Sequence, residues 1–125
     1  MDPVRKRKIE SLIQREVSEY IYQKIKKKDD RIAFVSVTRV ELTEDFGFAR
    51  IFFSLFSPNE KENQTTWNII NRYRKQMQSE ISKQIRLRRT PKFEFFIDTS
   101  IKEGDRILEL IEKKSSSEQK DNPDA

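Results

Sequence analysis

The chain has 125 residues, a net charge of +5, 38% charged residues and 34% hydrophobic ones, enough for one domain around a single modest core. It contains no Cys and no His, which excludes disulfides, Cys/His metal sites and His- or Cys-based catalysis. No apolar run approaches the roughly 20 residues of a membrane span, and no uninterrupted apolar segment follows the N-terminal cations as a signal peptide would require. A cytoplasmic protein without a membrane partner is therefore expected.

The net charge conceals an asymmetry. Residues 1–31 sum to +4, residues 32–70 to −2, residues 71–92 to +7 and residues 93–125 to −4. Positive charge falls on two helical segments, and such concentration points to phosphate more strongly than an overall pI does. A run of charge is also what any solvated helix face carries, so charge alone leaves both readings open.

Asp2-Pro3 is a suitable helix start, with Asp as N-cap and Pro at the first helical position. Ile9, Leu12, Ile13, Val17, Tyr20, Ile21 and Ile25 recur at spacings of three and four, which predicts an amphipathic helix of roughly six turns. Lys26-Lys27-Lys28 closes it and complements the negative end of the macrodipole. Ile32 to Leu42 and Phe48 to Phe56 read as strands joined into an antiparallel hairpin through Thr43-Glu44-Asp45-Phe46-Gly47. Ala49, Ile51, Phe53 and Leu55 share one face of the second strand; Phe48, Phe52 and Phe56 share the other. Outward aromatics could stack bases. The RNP-type Gly–aromatic pattern is missing, however, and the expectation is that a helix layer or the tail covers this face.

Ser57-Pro58-Asn59 ends the hairpin. A charged loop leads to a second helix, expected from Thr65 or Thr66 to about Arg89 and stopped by Pro91. On an ideal helix, at about 100° per residue, Trp67, Ile70, Met77, Ile81 and Ile85 fall on one side and Arg72, Lys75, Lys83 and Arg86 on the opposite one. Arg74 alone projects onto the apolar face, which is costly for a guanidinium without a partner. Either it snorkels, or the helix breaks near Tyr73–Lys75. The third strand is Phe93 to Ile97, followed by the turn Asp98-Thr99-Ser100 and a short helix from Asp105 to Lys114. Residues 115–125 have the composition of a disordered tail. The domain is thus expected to be residues 1–114, an α+β layer fold with a three-stranded sheet and helices on one face.

Carboxylates Glu41, Glu44, Asp45 and Asp98 lie near strand ends, where acid–base or metal chemistry could be placed. The first three are ordinary loop-flanking charges, and Asp98-Thr99-Ser100 is an ordinary turn composition. Gly47 and Gly104 are the only glycines, so no Walker-type loop exists. No enzyme, metal or cofactor is expected. The candidate phosphate contacts are Arg72, Arg74, Lys75, Lys83, Arg86, Arg88 and Arg89, helped by Arg5, Lys6, Arg7 and Lys8. Arg88, which projects toward the apolar side, is the one best suited to a structural role.

Arg86-Leu87-Arg88, Pro91, Phe93, Phe95, Asp98, Ser100 and Gly104 resemble the C-terminal motif of the ribosome-binding factor A family. Arg5 to Lys8, the hairpin residues Val37-Thr38-Arg39-Val40-Glu41-Leu42, Asp45-Phe46, Ala49 and Ile51 extend the resemblance over about residues 3–112. It implies a type II KH-like fold, a monomer, and binding to the small (30S) ribosomal subunit and its 16S ribosomal RNA. It also implies a part in late maturation of that RNA near its 5′ end and in growth at low temperature. KH domains that grip single strands use a Gly-x-x-Gly loop between two helices, and this chain has none. The family's usual Ala-x-Gly at the interhelical kink is also absent, since Tyr73-Arg74-Lys75 stands there. Two other readings compete: a general nucleic-acid-binding protein without ribosome specificity, and a protein–protein adaptor.

Overall fold

The computed structural model describes residues 3–98. Helix α1 (Pro3–Tyr20) passes through a π-helical segment (Ile21–Ile25) into a last turn, α2 (Lys26–Lys28). Strands β1 (Val35–Leu42) and β2 (Phe48–Leu55) follow, then helices α3 (Glu60–Arg72) and α4 (Arg74–Ile85) and strand β3 (Lys92–Ile97). The sheet order is β1-β2-β3, antiparallel between the first two strands and parallel between the last two. This is the expected α+β arrangement.

The periodicity of α1 becomes its buried face: Ile9, Ile13, Val17, Tyr20, Ile21 and Ile25 lie in the core. Across the sheet, Val40, Ile51 and Phe95 form one inward row, and Leu42, Ala49 and Phe93 the next. In β1 the inward residues are Val35, Val37, Val40 and Leu42, a pattern that breaks strict alternation. The register shifts between Val37 and Arg39. The extra residue, Thr38, is accommodated as a bulge, which keeps both halves of the strand facing the core. Ile69, Ile70, Met77 and Ile81 close the core from the helix side.

Three boundaries differ from expectation by more than one residue. β1 starts at Val35 rather than Ile32, because the Ala33 N–H is already taken by the Thr66 hydroxyl at 2.8 Å. α3 starts at Glu60 rather than at Thr65 or Thr66. The Asn59 side chain caps it by accepting from the Lys61 and Glu62 N–H groups at 2.8 and 3.3 Å, and Glu60 and Glu62 complement the dipole. The second helical stretch ends at Ile85 rather than Arg89. Arg86 adopts a left-handed conformation (φ 63°, ψ 45°). Its N–H and that of Leu87 both return to the Ser82 carbonyl, at 3.0 and 3.4 Å, closing the helix as glycine usually does.

A three-stranded sheet has two open edges, and here helix side chains reach both. On β1, the Tyr22 hydroxyl donates to the Val35 carbonyl at 2.5 Å and accepts from the Val35 N–H at 3.2 Å. The Gln14 amide donates to the Val37 carbonyl at 2.9 Å, and the Glu10 carboxylate accepts from the Leu42 N–H at 2.8 Å. On β3, Gln78 accepts from the Phe93 N–H at 2.8 Å and Arg74 donates to the Phe93 carbonyl at 3.2 Å. Helices act as surrogate strands, satisfying backbone groups that would otherwise invite edge pairing.

No described helix packs on the second face of the sheet. Phe48 and Phe96 are 38% and 40% exposed there. The expected helix from Asp105 to Lys114 and the tail 115–125 lie outside the described residues.

Tyr22→Phe removes both bonds to Val35 while keeping the ring. It should lower the unfolding free energy by about 1–3 kcal/mol, the penalty for orphaned half-buried backbone groups. Urea unfolding followed by circular dichroism reads this directly, and an unchanged midpoint would show that the edge seal is dispensable.

Candidate nucleic-acid interface

The helical stretch that carries most of the positive charge is divided at Tyr73, the shared cap of α3 and α4. Its backbone (φ −93°, ψ 3°) lies in the bridge region open to any L-residue, so the turn needs no glycine. The Tyr73 N–H bonds to the Ile70 carbonyl at 3.1 Å, and its own carbonyl accepts from Met77 at 2.8 Å. The Tyr73 ring meets Tyr20 edge-on, with centroids 6.4 Å apart, which pins the break against α1. The departure from the family's small residues thus leaves the kink intact.

The break sorts the cations. Arg72, Lys75 and Lys83 are exposed, as the helix projection expected. Arg86, Arg88 and Arg89 are exposed too, on the non-helical segment before β3. Arg88 therefore does not turn inward as its projection suggested; the helix ends before it, and Leu87 is the residue of that segment that packs on the core. Arg74 is the one turned in. Half-buried on the apolar face of α4, it finds its partner in the Phe93 carbonyl, which resolves the misfit seen in the sequence.

Arg5, Arg7 and Lys8 are exposed on the first turns of α1, with Lys6 half-buried. Arg7 and Lys8 line a shallow groove with Pro3, Ser11, Leu12 and Arg15. The first turn of α1 holds no acidic residue, so these cations stand at the positive end of the helix dipole, where they oppose it. Helix stability does not call for that arrangement. An anion docked at this end would be attracted by both the helix terminus and the side chains.

Ion pairing separates the cations into two kinds. Arg15, Lys24, Arg31, Arg39 and Arg50 each lie within ion-pair distance of a carboxylate. Among the described residues, none of the candidate phosphate contacts does.

The fold does not gather the candidates into one patch. At the hairpin end, the Arg5 guanidinium lies 5.7 Å from the Phe46 ring centroid. The Asp45 carboxyl beside it sits below the usual range, held there first by the Gly47 N–H and the Thr43 hydroxyl, with the Arg89 charge adding to the effect. The Lys92 N–H bonds to the Gly47 carbonyl at 2.9 Å, which brings the basic segment 86–92 to the same turn. At the other end, the Asp29 carboxyl is lowered to about 2, chiefly by its hydrogen bonds from Arg31, and the Arg72 charge contributes. Arg5 stands near the start of the helical run from Pro3 to Lys28, and Asp29 just past its end. Exposed Lys92, Lys27 and Lys28 extend the two patches, and reading of the sequence did not nominate them. Their neighbours Arg89 and Lys26 were the available signal.

The carboxylates near strand ends do structural work. Asp98 is buried, accepts from the Thr38 hydroxyl at 2.5 Å and lies 3.7 Å from the Arg39 guanidinium. Glu41 pairs with Arg39, and Asp45 shapes the hairpin turn. Among the described residues, no cluster of three or more acidic side chains could hold a metal ion.

A three-stranded sheet with helices on one face and a broken helix pair without a Gly-x-x-Gly loop define a KH-like domain. Comparison with known proteins agrees. The family model for ribosome-binding factor A matches residues 5–111. The ribosome-binding factor A of Desulforamulus reducens is 38% identical over 116 residues, covering 93% of this chain and 94% of that one. The solution structure of a Thermotoga maritima protein, described as a candidate ribosome binding factor A, superposes with a TM-score of 0.60 at 31% identity, covering 83% of this chain and 97% of that one. A Thermus thermophilus ribosome binding factor A model, fitted into a cryo-electron microscopy map of its 30S complex, shares the fold. Its TM-score is 0.54 at 22% identity, covering 72% of this chain and 91% of that one. The chain belongs to the ribosome-binding factor A family.

Arg74→Met keeps the stem and removes the hydrogen bond to β3. It should lower stability by about 1–3 kcal/mol, the range for a charge-assisted bond to a half-buried acceptor. The salt dependence of RNA binding should be unchanged. A reduced salt slope with undiminished stability would instead place Arg74 among the phosphate contacts.

Proposed function

We propose that the protein is a non-catalytic assembly factor that binds the small ribosomal subunit and its 16S RNA in the cytoplasm, and acts as a monomer. On this reading it assists late maturation of that RNA near its 5′ end and matters most in the cold, where misfolded RNA escapes slowly. Family membership supports ribosome binding. The observation that supports the RNA reading is the set of cations at both ends of the helical run from Pro3 to Lys28 that have no ion pair among the described residues, set against Lys24, Arg31 and Arg50, which are each paired with a carboxylate.

The mechanism follows from that spacing. Phosphate contacts position a protein without reading bases. Two patches at opposite ends of the helical run from Pro3 to Lys28 can hold two RNA segments in one fixed relation. A rigid body that binds one RNA conformation more tightly than its alternatives shifts the RNA toward that conformation. The proposed contacts are Arg5, Lys6, Arg7, Lys8, Arg88 and Arg89 at the hairpin end, Arg72 and Lys75 beside the helix break, Lys83 in the last turn of α4 and Arg86 just after it. Arg74 serves β3 instead.

Co-sedimentation with purified small subunits over a salt series tests the proposal, with large subunits and an unrelated structured RNA as controls. Selective, salt-sensitive binding to small subunits is expected. Equal binding to every RNA would reduce the function to general nucleic-acid binding, and salt-insensitive binding would point to a protein adaptor. Replacing Arg72, Lys75 and Lys83 together by Gln should weaken binding and flatten the slope of log K against log salt by about two, since each lost phosphate contact removes about 0.7–0.9. An unchanged slope would remove this face from the RNA surface.

A further inference from the structure

The second face of the sheet carries a row of stacked groups that the phosphate contacts do not use. Arg39, Phe52 and Phe96 are register partners on β1, β2 and β3. The Arg39 guanidinium lies 3.9 Å from the Phe52 ring centroid. Phe52 and Phe96 stack with centroids 5.3 Å apart and planes 25° from parallel. The row thus runs across all three strands and ends at Phe96, on the edge strand. Phe96 is 40% exposed, and no described helix covers it. A core has no use for a π stack that ends in solvent.

Charge selects the occupant. The carboxylates beside this row, Glu41, Glu94 and the buried Asp98, each lie against an arginine: Arg39, Arg50 and again Arg39. The strand that ends the stack is entered through Arg88, Arg89 and Lys92, all exposed and without an ion pair among the described residues. Lys92 and Phe96 sit four residues apart on the same face of β3, about 13 Å at the strand rise, a span that suits a short single strand. An aromatic face at the end of a cationic track matches an unpaired nucleotide: phosphate on the cations, base on the ring. A duplex, whose bases are already stacked, cannot use it.

We infer that β3 binds a short unpaired RNA segment, with its phosphates on Arg88, Arg89 and Lys92 and one base stacked on Phe96 to extend the Arg39–Phe52–Phe96 row. This inference rests on the RNA-binding reading above and gives that reading a single-strand subsite.

Fluorescence anisotropy of the full chain with a labelled single-stranded octaadenylate, and with a labelled RNA duplex of similar length, tests it. Phe96→Leu keeps an apolar side chain at the sheet edge and removes the ring. It should weaken binding to the single strand about tenfold, the order of one lost base–aromatic stack, and leave duplex affinity and the salt slope unchanged. Circular dichroism of the same variant verifies that the fold persists. Undiminished affinity for the single strand, or an equal loss on the duplex, would overturn the inference. A loss confined to small-subunit binding would also overturn it and assign the face to a protein partner. Wild-type protein that binds small subunits but not the octamer sinks the subsite alone; binding to neither sinks the ribosomal reading as well.

Discussion

A sheet of only three strands must dispose of two unpaired edges, and the rest of the structure follows from how it does so. Both edges are met by polar side chains on the inward sides of helices: Tyr22, Gln14 and Glu10 against β1, Arg74 and Gln78 against Phe93 of β3. Arg74 and Gln78 are four residues apart, hence neighbours on one helical face, and together they satisfy both backbone groups of Phe93. Each clamp fixes the register of its helix. The π-helical turn at Ile21–Ile25 keeps Ile21 and Ile25 buried while Tyr22 reaches Val35. The break at Tyr73 lets α4 turn its own face to β3 independently of α3.

That division also determines what is left for a ligand. Only one cation of the charged stretch is drawn into the fold. The others remain on the outer sides of α3 and α4 and on the segment before β3, without carboxylate partners among the described residues. Exposed ion pairs contribute little to stability, so pairing these cations would have added little to the fold. Leaving them unpaired keeps them free to displace counterions from a polyanion. Because α1 is long and each end of it meets a different part of the chain, the free charge separates into a hairpin-end patch and a break-end patch rather than one stripe.

Much of this was legible in the residues. The spacings in α1 and the alternation in β2 identify the inward faces, because burial imposes the period of each element; in β3 Phe93 and Phe95 face the core, but Ile97 is 38% exposed. The misfit of Arg74 located the break without reference to the missing Ala-x-Gly. What was not legible depends on contacts distant in sequence. No apolar residue lies between Pro58 and Trp67, so the first turns of α3 gave no periodic signal and only Asn59 marked its start. The left-handed Arg86 ends α4 where glycine would be expected, and the bulge at Thr38 is fixed by the register of β2. The outward-facing aromatics looked like residues to be covered. Only the register, which aligns Arg39, Phe52 and Phe96, shows that they form a row. The split of the basic residues into two patches required knowing which turn each approaches.

The claim that both ends of the first helix meet ribosomal RNA is tested most directly by photo-cross-linking the full chain to purified small subunits, digesting, and locating nucleotide adducts by mass spectrometry. The account predicts adducts both in peptides spanning Arg5 to Lys8 or Arg86 to Lys92 and in those spanning Arg72 to Lys83. Adducts at one end only, or confined to the paired cations Arg31 and Arg50, would contradict it.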